Sequence, residues 1–146
     1  MHDSLSALRT MCEFSGWKLS NLKANKLLYI AQMVHMSKNH GRPLVSEQFE
    51  AWDLGPVLPS VYHSAKIFGK KNIRDIYQNK RPIEEVGISD ILKDAAAFGL
   101  KKKASTLVAI THWEHGAWAK NYVAGAKGQL ISNDDIIEEI ETRAVA

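Results

Sequence analysis

The stretch SNLKANKLLYIAQMVHMSKNHG, residues 20–41, decides the fold because it predicts a helix that is apolar on nearly every side. Ser20 is a candidate N-cap, and Gly41 is a typical helix-stop residue. One face carries Ala24, Leu27, Leu28, Ala31, Val34 and His35, and the opposite side carries Tyr29, Ile30, Met33 and Met36. A helix of this kind belongs in the middle of a domain. We therefore predict a central buried helix over about residues 20–39, with the other elements packed around it.

Shorter helical patterns flank this central helix on both sides. Residues 4–14 show apolar side chains at helical spacing behind Asp3 or Ser4 as an N-cap, and Ser89 is a candidate cap for a helix that Gly99 ends. Further helices are predicted within 59–69, 101–115 and 133–143, and a short further turn within 117–125. Residues 70–87 read as a long exposed connection with a candidate short strand at 73–77. The predicted fold class is mainly α, a single compact helical domain.

The segment FEAWDLGPVLPSVY, residues 49–62, interrupts the helical pattern. Its first part belongs to the run 41–57, which turn-forming residues bracket: Gly41 and Pro43 at one end, Gly55 and Pro56 at the other. An alternation with a period near two lies between them, which predicts a small β-like hairpin or extended corner near 44–57. Pro59 suits the first turn of the next helix, where its missing N–H costs nothing. We expect Trp52 to pack beneath this corner and Asp53 to accept hydrogen bonds from N–H groups of the turn.

Length and composition indicate an ordinary globular protein. The 146 residues suit one domain, expected to span 1–146, and 45% of them are hydrophobic and 24% charged. A formal net charge of +3 falls short of the charge of a typical nucleic-acid-binding domain. The single cysteine, Cys12, excludes an intramolecular disulfide and favours a reducing compartment. With neither a secretory signal nor a membrane span in the sequence, we expect a cytoplasmic protein.

Candidate catalytic and metal-binding patterns are weak in this sequence. His112 and His115 would share one side of a helix, but a zinc site needs three or four ligands and no further ligands accompany them. Glu50 and Asp53 flank Trp52, yet strand geometry points residues three apart to opposite faces. A serine-nucleophile elbow and a phosphate-binding glycine loop are both missing. We therefore expect no metal, no cofactor and no enzymatic activity.

The segment KIFGKKNIRDIYQNKR, residues 66–81, concentrates positive charge. Its cations are Lys66, Lys70, Lys71, Arg74, Lys80 and Arg81, with Phe68 and Tyr77 interleaved. Three interpretations remain open at this point: a solvated connection between helices, a surface that follows a nucleic-acid backbone, and a surface that meets an acidic protein partner. The solvated connection is the simplest of the three and is favoured over binding of nucleic acid.

Three segments of the chain resemble the Panacea domain family, also called the SocA-like antitoxin domain. They are residues 23–69, which contain K-L-L-Y, G-R-P-L, E-A-W and G-P-V motifs in that order, then 111–125 and 130–140. The resemblance assigns a structural motif to Lys26, Leu27, Leu28, Tyr29, Pro43, Trp52, Asp53, Gly55, Pro56, Pro59, Tyr62, His112 and Trp118. It covers most of the chain, and its first segment is the most specific part.

The resemblance implies an antitoxin that neutralises a cognate toxin, commonly the product of the adjacent gene, by direct protein–protein binding. Members of the family are paired with toxins of unrelated kinds, so the motif does not identify the toxin. Exposed aromatic and basic residues are the expected contacts, and we select Trp52, Tyr62, Arg74 and Tyr77. One alternative is an adaptor that delivers the toxin to an ATP-dependent protease, for which the ending RAVA offers a small apolar tail. Another is a nucleic-acid-binding regulator that uses residues 66–81.

Overall fold

The computed structural model describes residues 1–145 and is mainly helical, as the sequence predicts. The helices are α1 (Ser4–Phe14), α2 (Asn21–Lys38), α3 (Pro59–Ala65), α4 (Val86–Leu100), α5 (Ala104–Thr111), α6 (Ala117–Asn121) and α7 (Asn133–Val145). Two short strands, β1 (Glu50–Trp52) and β2 (Gly55–Val57), lie between α2 and α3, and one 3-10 turn, Lys66–Phe68, follows α3. The ending RAVA includes Ala146, which lies outside the described residues.

Helix α2 is the predicted central helix, and its placement is confirmed. The Ser20 side chain caps it by accepting a hydrogen bond of 3.3 Å from the N–H of Lys23. Side chains on all its sides are buried, and it contacts α1, α3, α4, α5, α7 and β2. The core of the protein is therefore assembled around α2, in agreement with its apolar residues on both faces.

Strands β1 and β2 form the predicted hairpin. They pair antiparallel, with Glu50 opposite Val57 and Trp52 opposite Gly55, and residues 53 and 54 make the turn. Gly55 has a φ of +109°, a conformation that residues with a Cβ rarely adopt. Pro59 begins α3 in the first helical turn, as predicted. The corner thus leads the chain from a tight hairpin directly into a helix.

Helix α4 differs from its predicted bounds at both ends. It begins at Val86 rather than after Ser89, because the Ser89 N–H already donates an intrahelical bond of 2.8 Å to the carbonyl of Glu85. Gly99 lies inside the helix and does not end it. A Cβ at Gly99 would lie 2.2 Å from Cδ1 of Leu27, so this glycine permits the close approach of α4 to α2. The prediction of Gly99 as a stop signal was wrong for that reason.

The connection before α4 is neither a strand nor fully exposed, so both predictions for it were wrong. Residues 73–77 are extended without strand pairing, and the N–H of Ile73 donates to the carbonyl of Leu19 at 2.8 Å. The side chains of Ile73, Tyr77 and Ile83 are buried. The N–H of Ile83 also donates to Oγ1 of Thr10 at 2.9 Å. This segment is held against α1, which its polar composition did not indicate.

Helix α5 is shorter than predicted, whereas helix α7 begins where the sequence predicts. Helix α5 ends at Thr111, so His112 and His115 are not on one helical face, and the prediction of a helix over 101–115 was too long. Helix α7 begins at Asn133, and Ser132 caps it by accepting from the N–H of Asp135 at 3.1 Å. Within residues 1–145, no helix combines the length and apolar character needed to cross a membrane.

Candidate partner-binding surface

A buried lysine anchors the hairpin to the central helix. Lys26 is fully buried on α2, and its Nζ donates a hydrogen bond of 2.8 Å to the main-chain carbonyl of Pro56 in β2. Gly55 brings the main chain close to this ammonium group, since a Cβ there would lie 3.4 Å from Cε of Lys26 and 3.3 Å from Oγ1 of Thr111. Burial lowers the pKa of Lys26 from 10.5 to about 7. The side chain is therefore placed to fix the hairpin and not to reach a partner.

Three buried amide side chains of α2 bind the rest of the corner. Oδ1 of Asn25 accepts from the N–H of Leu58 at 2.9 Å, and Nδ2 of Asn21 donates to the carbonyl of Tyr62 at 3.1 Å. Oε1 of Gln32 accepts from two consecutive main-chain N–H groups, those of residues 44 and 45. Buried main-chain groups need such partners when no sheet supplies them. The path of residues 44–62 is thus specified by polar residues of the central helix.

An aromatic cluster lies on the hairpin and joins it to α3 and α6. The Trp52 and Tyr62 rings meet edge to face with centroids 4.8 Å apart, and the Trp118 and Tyr122 rings stack at 4.7 Å. Nε1 of Trp118 donates to the main-chain carbonyl of Trp52 at 2.6 Å, which connects the two pairs. Nε1 of Trp52 donates to the Glu50 carboxylate at 2.9 Å. Both indole N–H groups are therefore bonded within the protein.

Two exposed aliphatic residues lie close in sequence to this cluster: Leu54 in the hairpin turn, two residues after Trp52, and Val123, next to Tyr122. Leu54 is 55% exposed and Val123 is 54% exposed, although both are aliphatic. The Asp53 carboxylate accepts from the Tyr122 hydroxyl at 2.6 Å, instead of from N–H groups of the turn as predicted. This hydrogen bond raises the pKa of Tyr122. We call the surface formed by Trp52, Leu54, Tyr62, Tyr122 and Val123 the tip patch.

Of the four predicted contact residues, the structure brings two together. Trp52 and Tyr62 are neighbours and partly exposed, whereas Arg74 is exposed in a separate open groove with Trp17. Tyr77 is only 2% exposed, and its hydroxyl lies 2.8 Å from Oγ of Ser64. The expectation of an exposed Tyr77 was wrong, because the segment that contains it packs on the protein and stacks its ring with Trp17.

Glu139 is a buried residue whose importance the sequence analysis missed. It is 1% exposed on α7, and its carboxylate accepts from the Tyr29 hydroxyl at 2.7 Å and from the N–H of Ala117 at 2.9 Å. Nε of Arg143 donates to the same carboxylate at 2.8 Å. A Cβ at Gly116 would lie 2.7 Å from Oε1 of Glu139. The only available sequence signal was the helical spacing of Glu139 from Ile136, on the inward side of α7.

The candidate metal and acid–base pairs do not form a site. His112 stacks against Trp118, with ring centroids 3.5 Å apart, while the exposed His115 pairs with Glu114. Across residues 1–145, no group of three or more histidine, cysteine or acidic side chains is placed to hold a metal ion. Glu50 and Asp53 bind different partners, an indole and a phenol. These residues act in the structure as hydrogen-bonding and stacking groups.

The sequence matches a protein-family model described as "Antitoxin SocA-like, Panacea domain" over residues 25–119. This chain belongs to that family. It is also 34% identical over 110 residues to the antitoxin SocA of Caulobacter vibrioides (strain NA1000 / CB15N), an alignment that covers 68% of this chain and 58% of the relative. The chain therefore spans less than two thirds of that antitoxin. No solved structure matched the chain.

The motif residues of this Panacea domain meet in the structure although they lie far apart in sequence. Lys26 bonds the carbonyl of Pro56, and Trp118 bonds the carbonyl of Trp52. Tyr29 bonds Glu139 in the third of the resembling segments, 110 positions along the chain. The three segments are thus joined by hydrogen bonds: Trp118 of the second donates to Trp52 of the first, and Glu139 of the third accepts from Tyr29 of the first and from the N–H of Ala117 of the second.

Proposed function

We propose that this Panacea domain is an antitoxin that neutralises a cognate protein toxin by binding it directly. Support comes from its membership of the SocA-like family and from its likeness to the Caulobacter antitoxin. The proposed role is one of binding rather than catalysis. In this account the toxin is a protein made in the same cell, and the product of the adjacent gene is the first candidate.

The tip patch is the proposed toxin-binding surface, and the exposure of Leu54 is the observation that carries this assignment. The Leu54 side chain, 55% exposed at the hairpin turn, leaves apolar area in water that it can bury against a partner. Trp52 precedes Leu54 by two residues on the same hairpin and its ring meets that of Tyr62, and aromatic residues of this kind are frequent energetic centres of interfaces.

The support beneath the hairpin favours the same assignment. Lys26 and Asn25 hold the segment 56–58 from below, and Trp118 holds the carbonyl of Trp52. A surface that is already rigid loses little conformational entropy on binding, so more of the interaction energy appears as affinity. Because the indole N–H of Trp52 is bonded internally, a partner that covers the exposed part of this ring does not leave that donor unsatisfied.

Co-expression of the chain with the product of the adjacent gene tests the proposal. We expect rescue of growth, a complex that co-purifies in a fixed ratio, and an unchanged half-life of the toxin. The variant Leu54→Asp should lose rescue, whereas Leu100→Asp, which changes another exposed leucine at the end of α4, should keep it. Both substitutions are at exposed sites, so circular dichroism should show folded protein in each case.

The toxin half-life separates blocking from delivery. In the adaptor mechanism, rescue would be accompanied by loss of the toxin from the cell. It would also stop in a strain that lacks the responsible ATP-dependent protease. These two results together would contradict simple blocking. Rescue with no complex and no change in toxin level would contradict direct binding.

A further inference from the structure

An open groove separate from the tip patch combines apolar and basic side chains. Its volume is about 750 Å³, and it lies between the end of α1 and the chain that follows α3. We call it the basic groove and define it by Trp17, Ile67, Phe68, Lys71 and Arg74. It shares no residue with the tip patch.

The apolar part of the basic groove is exposed but firmly supported. Ile67 is 81% exposed, which is unusual for an isoleucine. The Trp17 ring stacks parallel to the buried Tyr77 ring, with centroids 6.4 Å apart and an interplanar angle of 7°. Ile73 forms a buried floor, and its N–H is bonded to Leu19. A large apolar side chain entering the groove would meet a fixed wall and would cover Ile67.

Lys71 and Arg74 line the basic groove together with Asp75, and Lys66 and Lys70 lie close to them in the sequence. Residues 66–75 contain four cations and one carboxylate, an excess equal to the +3 net charge of the whole chain. Lys66, Lys70, Lys71 and Arg74 are exposed, and none joins the ion pairs found within residues 1–145. The carboxylate of Asp75 is engaged by the N–H of Tyr77 at 3.1 Å. The chain that forms this side of the groove therefore carries an excess of positive charge next to an apolar centre.

We propose that the basic groove binds an extended protein segment in which Asp or Glu residues flank a large apolar side chain. Charge complementarity accounts for the acidic residues, and the exposed Ile67 and the wall of Trp17 account for the apolar one. A protein segment fits better than nucleic acid because the most exposed group is aliphatic. Phosphates would satisfy the lysines, but they would leave Ile67 without an apolar partner.

This proposal rests on the proposed function in one respect, namely that the partner is a protein. Its test does not need the toxin. The whole chain is used to select binders from a library of random peptides displayed on phage, and the selected peptides are synthesised with a fluorescent label. We expect them to combine acidic residues with Leu, Phe or Trp, and to bind more weakly as salt rises.

Variants then assign the binding to the groove. The double variant Ile67→Asp/Arg74→Glu should weaken binding by at least about tenfold. The matched control Val86→Asp/Lys93→Glu makes the same two kinds of change at exposed positions of α4 and should bind as the parent does. Circular dichroism confirms that both variants are folded.

Several results would overturn the proposal. They are a selection without binders, selected peptides without acidic residues, and binding that the groove variant leaves unchanged. Binding of a DNA duplex of about 20 base pairs more tightly than any peptide, with loss in the same variant, would assign the groove to nucleic acid instead. Absence of growth rescue in the co-expression experiment, with peptide binding intact, would exclude the adjacent gene product as the toxin and leave the groove assignment standing.

Discussion

The buried ammonium group of Lys26 lies 2.8 Å from the main-chain oxygen of Pro56, and this hydrogen bond joins the central helix to the hairpin that carries the tip patch. Burial lowers the pKa of Lys26 to about 7, so the charged form of the side chain is costly in the folded protein. The position of the hairpin and the pH dependence of folding are therefore linked through one side chain.

The free energy of unfolding should rise with pH between about 7 and 9. In the unfolded chain Lys26 keeps its proton up to about pH 10.5, whereas in the folded protein it loses it near pH 7. Between these values the unfolded state binds more protons, which gives a limiting slope of about 1.4 kcal/mol per pH unit. Above about pH 9 the buried Cys12 acts in the opposite direction, because burial raises its pKa from 9.0 to about 12.

Urea denaturation at a series of pH values measures this slope. The variant Lys26→Met should lose it, and Lys101→Met, which removes an exposed lysine after α4, should keep it. A parent protein whose stability does not change between pH 7 and 9, or a Lys26→Met variant with the slope of the parent, would show that Lys26 does not titrate as described.

The thiol of Cys12 should be unreactive in the folded protein. It is fully buried in the core, and the raised pKa keeps it protonated at neutral pH, whereas the thiolate is the reactive form. Treatment with a thiol-specific chromogenic reagent at pH 8 should give little reaction in buffer and one equivalent in urea. Rapid stoichiometric reaction in buffer would mean that α1 opens readily.

Removal of the Glu139 side chain should destabilise the protein far more than removal of its neighbour. Glu139→Ala leaves the Tyr29 hydroxyl and the Ala117 N–H without an acceptor, and we expect a loss of about 3 kcal/mol. Glu138→Ala removes only an exposed ion pair with Lys120 and should cost less than about 1 kcal/mol. Equal losses in the two variants, measured by urea denaturation, would contradict the role assigned to the buried carboxylate.

Local signals predicted much of this fold. The sequence signals for α2, the hairpin and the start of α3 are local, and these elements were predicted correctly. The signals are the cap at Ser20, the apolar faces of α2 and the prolines around the hairpin. The placement of Tyr77 was not, because its burial depends on contacts with Trp17 and Ser64 from other parts of the chain. Composition alone made its surroundings look like a solvated loop.

The sequence predicted part of the candidate site, the pair Trp52 and Tyr62, but not the buried Glu139. Trp52 and Tyr62 belong to one corner motif. The short hairpin leads directly into α3, and this brings their two rings into contact. Glu139 could not be recognised, because a glutamate on a short acidic helix reads as an exposed residue. Its partner Tyr29 lies 110 positions earlier in the chain. The packing role of Gly99 was not predicted either, because it depends on Leu27, which is distant in sequence. A glycine near the end of a helical pattern is usually a stop signal.

Two glycines of α4 should respond to alanine in opposite directions. At Gly99 the new Cβ would lie 2.2 Å from Cδ1 of Leu27, and we expect a loss of about 1–3 kcal/mol from overpacking. At Gly87 no atom lies within 4 Å of the new Cβ, so Gly87→Ala should be neutral or should stabilise by up to about 1 kcal/mol. Thermal denaturation measures the stability of both variants. A Gly99→Ala variant as stable as the parent would show that α2 and α4 are farther apart at this position than the structure places them.

Direct binding through the tip patch is tested by isothermal titration calorimetry, which measures the affinity of the purified chain for the proposed toxin with the parent, Leu54→Asp and Leu100→Asp. The account predicts a stoichiometric complex that Leu54→Asp weakens by at least about tenfold and that Leu100→Asp leaves unchanged. Equal affinity of all three proteins would contradict the assignment of the tip patch, and the absence of any complex with a toxin that the chain neutralises in cells would contradict direct binding itself.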